Sequence, residues 1–182
     1  MNNKRYHLII NLVGILYYLA VALVLLIFFL SNSTVIDEKF LLILMTLTTI
    51  PTLTRYFLLR QFNHYMYLGH IIWSVSFLIA CLILFLVPNN TIATVCIIWG
   101  AFDIVKGLDE LFVIFSDRKF LLKEIPNAIL AIMDVVLGII LIIKVENGLN
   151  VHLLAATISV FVYMIEDIVR IFTLKEISDE QD

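Results

Sequence analysis

Residues 8–30 read LIINLVGILYYLAVALVLLIFFL, a run of 23 residues from Leu8 to Leu30 in which Asn11 is the most polar member. A helix needs about 20 predominantly apolar residues to cross the hydrocarbon core of a bilayer, so this stretch alone is long enough to span. Lys4 and Arg5 precede it, as basic residues precede a signal peptide. The apolar run is too long for the core of a signal peptide, however, and no small-residue cleavage site follows Leu30. It reads as a retained first transmembrane helix.

Five more runs of the same kind follow: Phe40–Leu59, Met66–Val87, Thr91–Phe115, Ile125–Ile143 and Val151–Leu174. The gaps between them are short and carry turn-forming or polar residues, such as Ser31-Asn32-Ser33, Pro88-Asn89-Asn90 and Glu146-Asn147-Gly148. The runs are continuous and lack the apolar/polar alternation of a membrane β-barrel, which leaves helices as the spanning elements. Composition agrees: of 182 residues, 62% are hydrophobic and only 15% charged. A domain of this size cannot bury that much apolar surface in its own core, so much of it must face lipid. The net charge of −3 and the absence of a basic patch argue against a nucleic-acid partner.

The distribution of Lys and Arg sets the orientation. Lys4, Arg5, Arg55, Arg60, Arg118, Lys119, Lys123, Arg170 and Lys175 fall on one side, against Lys39 and Lys144 on the other. The chain is therefore expected to be a multi-pass protein of the cytoplasmic membrane with both termini in the cytoplasm. It forms a single transmembrane domain over 1–182, and the segment 175–182 is an acidic cytoplasmic tail. Asn32 and Asn89 stand in N-x-[ST] patterns next to helix ends and are read as chance matches. Cys81 and Cys96 fall inside apolar runs with no metal spacing or disulfide framework around them.

An internal repeat organises the runs. Phe102-Asp103-Ile104-Val105-Lys106 aligns with Glu166-Asp167-Ile168-Val169-Arg170 at an offset of 64 residues, and Trp99 then matches Tyr163. The second run gives a weaker echo, with Arg55 in the place of Lys106 and Arg170. The expected fold is all-α: six transmembrane helices arranged as three tandem two-helix hairpins of about 50–64 residues each, in parallel topology.

The length, the six helices and the second-arm segment Ile98-Trp99-Gly100-Ala101-Phe102-Asp103-Ile104-Val105-Lys106-Gly107 carry a family resemblance over nearly the whole chain. It resembles the HdeD-like acid-resistance membrane proteins of bacteria, a family whose domain is largely of unknown function. The chain departs from that pattern in having only six glycines, none of them in the second or sixth run. The resemblance implies a bacterial cytoplasmic-membrane protein linked to acid or envelope stress tolerance, and it brings no catalytic residues with it.

Polar groups inside the spans are the candidate functional residues, because a charge at the bilayer centre costs roughly 2.5–3.5 kcal/mol on insertion scales and needs a partner or a wet surface. In the fourth run Asp103, Lys106, Asp109 and Glu110 share an arc of about 120°, with Cys96 and Trp99 extending the stripe. Asp103–Lys106 and Lys106–Glu110 are spaced to pair along the helix. In the sixth run Glu166, Asp167 and Arg170 share an arc of about 100°, continued by Tyr163, Ser159 and His152. The second run aligns Thr48, Thr52 and Arg55, and the fifth aligns Asn127 and Asp134.

Lys106, Arg170, Glu110 and Glu166 are expected in the cytoplasmic third, with Asp103 and Asp134 nearer the middle. Asp134 has no basic residue within a turn, so its partner comes from another helix or the carboxyl is protonated. One reading makes Asp103, Asp134, Glu166 and Asp167 proton- or cation-handling groups in a polar cavity open to the cytoplasm. The other makes the same cluster a clamp in which Lys106 neutralises Asp103, Arg170 neutralises Asp167, and hairpin packing is fixed.

The four histidines, His7, His64, His70 and His152, read as interfacial, with no metal spacing among them. Thr46, Thr48 and Thr49 before Pro51 predict a kink whose freed carbonyls the hydroxyls satisfy. No nucleotide-binding loop, dinucleotide fingerprint, HExxH, GxSxG or Cys/His constellation is present. The chain is accordingly expected not to be an enzyme, and no cofactor or metal is expected. Three readings compete: a non-catalytic stress-related membrane protein, a transporter or channel for protons or a small solute, and a membrane scaffold. The expected partners are the lipid bilayer and, for a scaffold, further copies of the chain or other membrane proteins.

Overall fold

The computed structural model describes residues 3–31, 38–59, 68–87, 91–116, 125–143 and 149–179. The described residues form six α-helices and no strand: α1 (Asn3–Leu30), α2 (Glu38–Leu59), α3 (Leu68–Leu86), α4 (Ile92–Ser116), α5 (Ile125–Ile142) and α6 (Leu149–Asp179). Each coincides with one of the apolar runs. Polar residues mark several ends. Thr91 caps α4 by accepting the Thr94 backbone N–H on its hydroxyl oxygen at 3.3 Å. At the end of α1 the Ser31 hydroxyl donates to the Phe28 carbonyl at 3.0 Å. The last helix does not stop at Leu174 but continues through Lys175 to Asp179, so the acidic tail begins as helix.

Every helix packs on the next in sequence, and α6 returns to pack along α1, which closes the bundle into a ring. α4 also touches α2 and α6 across the middle. The interior is built from Leu25 of α1, Leu41 and Met45 of α2, Phe77 of α3, Trp99 of α4, Leu141 of α5 and Val160 of α6. The exterior is as apolar as the interior: Leu30 is 70% exposed, Phe112 72% and Leu86 80%. Apolar surface on that scale is unfavourable in water, and it belongs against lipid. Leu8–Leu30, Ile125–Ile142 and Val151–Val169 are long and apolar enough to cross a membrane, and Ile71–Leu86 is a shorter apolar helix.

The helix partnerships differ from three self-contained hairpins. The most intimate pairs are α4 with α5, which straddles the boundary between the second and third repeat, and α1 with α6, which joins the chain's two ends. Missing side chains explain the α4–α5 contact. A Cβ on Gly107 would come within 2.5 Å of the Ala131 carbonyl oxygen, and one on Gly138 within 2.5 Å of the Gly100 carbonyl oxygen. Gly100 in turn faces Gly138, so the two helices run antiparallel with backbone against backbone. Within a bilayer, where apolar burial gives helices little reason to associate, such close approach supplies the attraction through van der Waals contact. The glycines Gly100 and Gly107 therefore join helices rather than interrupt one.

In α2 the helix continues through Pro51. The threonine hydroxyls are already engaged one turn earlier: Thr46 donates to the Leu42 carbonyl at 2.8 Å, Thr48 to Met45 at 2.7 Å and Thr49 to Thr46 at 2.7 Å. A proline at 51 frees the carbonyl of Leu47, four residues back. Each hydroxyl has a single proton to donate, so none of the three serves that carbonyl, contrary to the expectation from spacing.

Candidate functional site

The close approach of α4 and α5 carries Lys106 directly to Asp134. Gly107, next to Lys106 in sequence, faces the Ala131 carbonyl and the Asp134 Cβ, so the backbone of α4 lies against α5 at this level. The Lys106 ammonium donates to Asp134 Oδ2 at 2.5 Å and to both oxygens of Glu166 on α6, at 2.6 Å and 2.8 Å. Glu110, one turn along α4, stands 3.8 Å from the same nitrogen. One cation thus ties three helices. Asp134 is fully buried, and the side chains of Lys106, Glu110 and Glu166 are 14%, 12% and 7% exposed. Lys106 lies roughly 20 Å along the axis from Ile92 and about 15 Å from Ser116, deep in the bundle.

Sequence spacing assigned Lys106 to Asp103, and the structure does not. Asp103 Oδ1 instead accepts the hydroxyl of Tyr163, from α6. The Lys106 ammonium passes over the face of the Tyr163 ring, 4.4 Å from its centre, so the phenol separates the two groups while touching both. Tyr18 of α1 packs against the other surroundings of that ring at 5.7 Å between centroids. The helix spacing was correct, but the rotamer that reaches Asp134 and Glu166 gives the ammonium two carboxylates instead of one.

The contacts between α4 and α6 follow one register. Lys106 meets Glu166 and Asp103 meets Tyr163, both at an offset of 60. The two helices therefore run parallel, but their contact register is one turn short of the 64-residue offset of the repeat. Asp103 and its repeat counterpart Asp167 are both buried, and Asp167 also has an interaction partner. The side chains of Arg170 and Arg55 lie outside the described residues, so the Asp167–Arg170 pairing does too.

Several polar atoms in this centre are buried without a hydrogen bond: Asp134 Oδ1, Asp103 Oδ2, Trp99 Nε1 and Ser159 Oγ. Ser159 lies beside Asp103 and Trp99 beside the Tyr163 side chain. An orphaned buried group costs about 1–3 kcal/mol, and native interiors hold few. Tyr163, Trp99 and Ser159 were visible in the sequence only as neutral neighbours on the charged stripes. Their shared face with Asp103 and Glu166 was the available signal.

The carboxylate oxygens of Glu110, Asp134 and Glu166 lie within 4.8 Å of one another, a spacing that suits a metal ion. The Lys106 ammonium already stands among them and supplies the positive charge such an ion would bring. Three buried carboxylates, those of Asp103, Asp134 and Glu166, share this single described cation. Buried charge of one sign is neutralised by ions or protons drawn from water.

These features define an all-helical protein with membrane-length helices and an acid-rich polar centre among α4, α5 and α6. No family model, no curated protein and no solved structure matches the chain.

Proposed function

We propose that this chain is a non-catalytic, multi-pass protein of the bacterial cytoplasmic membrane whose α4–α5–α6 centre takes up and releases protons. The observation that carries the reading is the imbalance of charge around Lys106. One ammonium bonds Asp134 and Glu166 while Asp103 stands one turn away, bonded to a neutral phenol. Such a set changes its proton count at little structural cost, because Lys106 holds the helices together through whichever carboxylate remains charged. In this reading all six helices span, as three tandem hairpins in descent, with both termini in the cytoplasm as the Lys and Arg bias requires. The resemblance to the HdeD-like proteins adds acid or envelope stress tolerance as the setting, and neither a cofactor nor an enzymatic step is invoked.

The test is proton movement across liposomes that contain the purified protein and carry an imposed pH gradient. The native protein is expected to dissipate the gradient faster than protein-free vesicles, and Asp134→Asn is expected to return the rate to background. Glu166→Gln provides a second substitution should the first fail to insert. Native protein indistinguishable from empty vesicles would remove the reading. The centre would then be the clamp its geometry also suits, in which Lys106 serves only to fasten α5 and α6 to α4.

A further inference from the structure

Asp103 has two oxygens with different surroundings. Oδ1 is occupied by the Tyr163 hydroxyl, whereas Oδ2 is buried and has no partner. Two more buried polar atoms without a hydrogen bond flank the Asp103–Tyr163 pair: the hydroxyl of Ser159, beside Asp103, and the indole N–H of Trp99, beside Tyr163. All three residues are at most 1% exposed. Trp99, Asp103 and Lys106 follow one face of α4, while Ser159, Tyr163 and Glu166 follow the facing stripe of α6, so the orphans fall along the same seam as the charged centre.

The chemistry of the three atoms selects what could satisfy them. Indole N–H only donates, a carboxylate oxygen only accepts, and a hydroxyl does either. A metal or ammonium ion would be repelled by the indole proton and by the Lys106 ammonium over the Tyr163 ring. An anion would be repelled by Asp103, with Asp134 and Glu166 beyond it. The occupant must be small, neutral, and both donor and acceptor. Water meets those conditions, and buried waters typically make about three hydrogen bonds to otherwise unsatisfied polar groups.

We propose that a water molecule is bound between Trp99 Nε1, Asp103 Oδ2 and Ser159 Oγ, and that protons reach and leave Asp103 through it. It accepts from the indole and donates one hydrogen to Oδ2 and the other to Ser159. When Asp103 is protonated, the proton resides on Oδ2, because Oδ1 is committed to Tyr163; the water then accepts from Oδ2 and donates only to Ser159. The site extends the polar centre by one turn toward Ile92 and makes Asp103 a second proton station beside the Lys106 cluster. This role for the water rests on the proton-handling reading, but its presence does not.

The test reads the water separately from transport. The chain has two tryptophans, so Trp73→Phe leaves Trp99 as the sole indole. Its N–H hydrogen bonding is then read from the sensitive indole band in ultraviolet resonance Raman spectra of the detergent-solubilised protein. The expected result is a hydrogen-bonded indole that stays bonded in Tyr163→Phe and shifts to the unbonded position in Ser159→Val, which fills the water's place. Ser159→Ala replaces the last variant if it does not fold, and a partial shift in the same direction is then expected. An unbonded indole in the parent would overturn the proposal, as would loss of the bond in Tyr163→Phe or its persistence in both serine variants. A hydrated indole in a protein that moves no protons would sink the functional reading and leave the site standing. Proton movement with a dry indole would do the reverse.

Discussion

Lys106 shows how much one side chain can organise when three helices meet without a hydrophobic incentive to do so. Its ammonium satisfies carboxylates from α5 and α6 at 2.5 Å and 2.6 Å while its stem stays with α4. Removing one member of a buried ionic set leaves uncompensated charge, a loss of roughly 3–5 kcal/mol. Lys106→Met is therefore expected to destabilise the protein by that amount in reversible unfolding in detergent. Adding Asp134→Asn and Glu166→Gln to it should recover part of the loss, since the neutral set no longer demands a cation. Unfolding of Lys106→Met at the native midpoint would show that the ion cluster contributes nothing net. That Asp134 either takes a partner from a different helix or is protonated was legible in the sequence, because no base stands within a turn of it. That the partner is Lys106, and that Asp103 goes to Tyr163, was not. Spacing along one helix says which residues can pair within it, but the choice between an internal and an external partner depends on which helix comes closest.

At the scale of the helices, that approach depends on glycine. Gly107 and Gly138 let the backbones of α4 and α5 touch, and any larger residue at either position forces apart the helices that carry Lys106 and Asp134. Gly138→Leu is expected to lower stability by more than the roughly 1–3 kcal/mol of ordinary overpacking, because the obstacle is backbone rather than a side chain that can turn away. Ala101→Leu, on the exposed side of α4, is the matching control and should leave the melting temperature near native. Equal effects of the two would mean that the glycine seam is not what joins α4 to α5. The existence of all six helices was readable from run length, since a continuous apolar stretch of membrane length has few other structures open to it. Their partners were not. Hydropathy marks a run as helical without naming its neighbour, and the repeat suggested hairpins, whereas small residues placed the tightest contact between repeats. The one-turn difference between the repeat offset and the contact register of α4 and α6 has the same origin: related sequences need not pack at equivalent positions.

The described residues present an apolar exterior over a largely apolar interior that holds one polar centre among α4, α5 and α6, an arrangement suited to a lipid surrounding. In the proposed six-span topology the even number of crossings puts both ends on one side. Replacing Cys81 and Cys96 by serine gives a background for Asn2→Cys and Gln181→Cys, each probed with a membrane-impermeant maleimide. Both positions are expected to stay unlabelled in intact cells and to react after permeabilisation. Labelling of only one in intact cells would mean an odd number of crossings. Among the described residues α1 and α6 lie along each other, and Tyr18 meets Tyr163.

That closure orders events during synthesis. Of the six helices α1 is made before the other five and its mate α6 after them, so α1 stays without its main partner until α6 has been made. α4 and α5 emerge in succession and can fasten Lys106 to Asp134 while α6 is still in the exit tunnel. Glu166 then arrives at a half-built centre whose cation is already in place. A chain truncated before α6 would carry an unmatched α1 and an incomplete ion cluster.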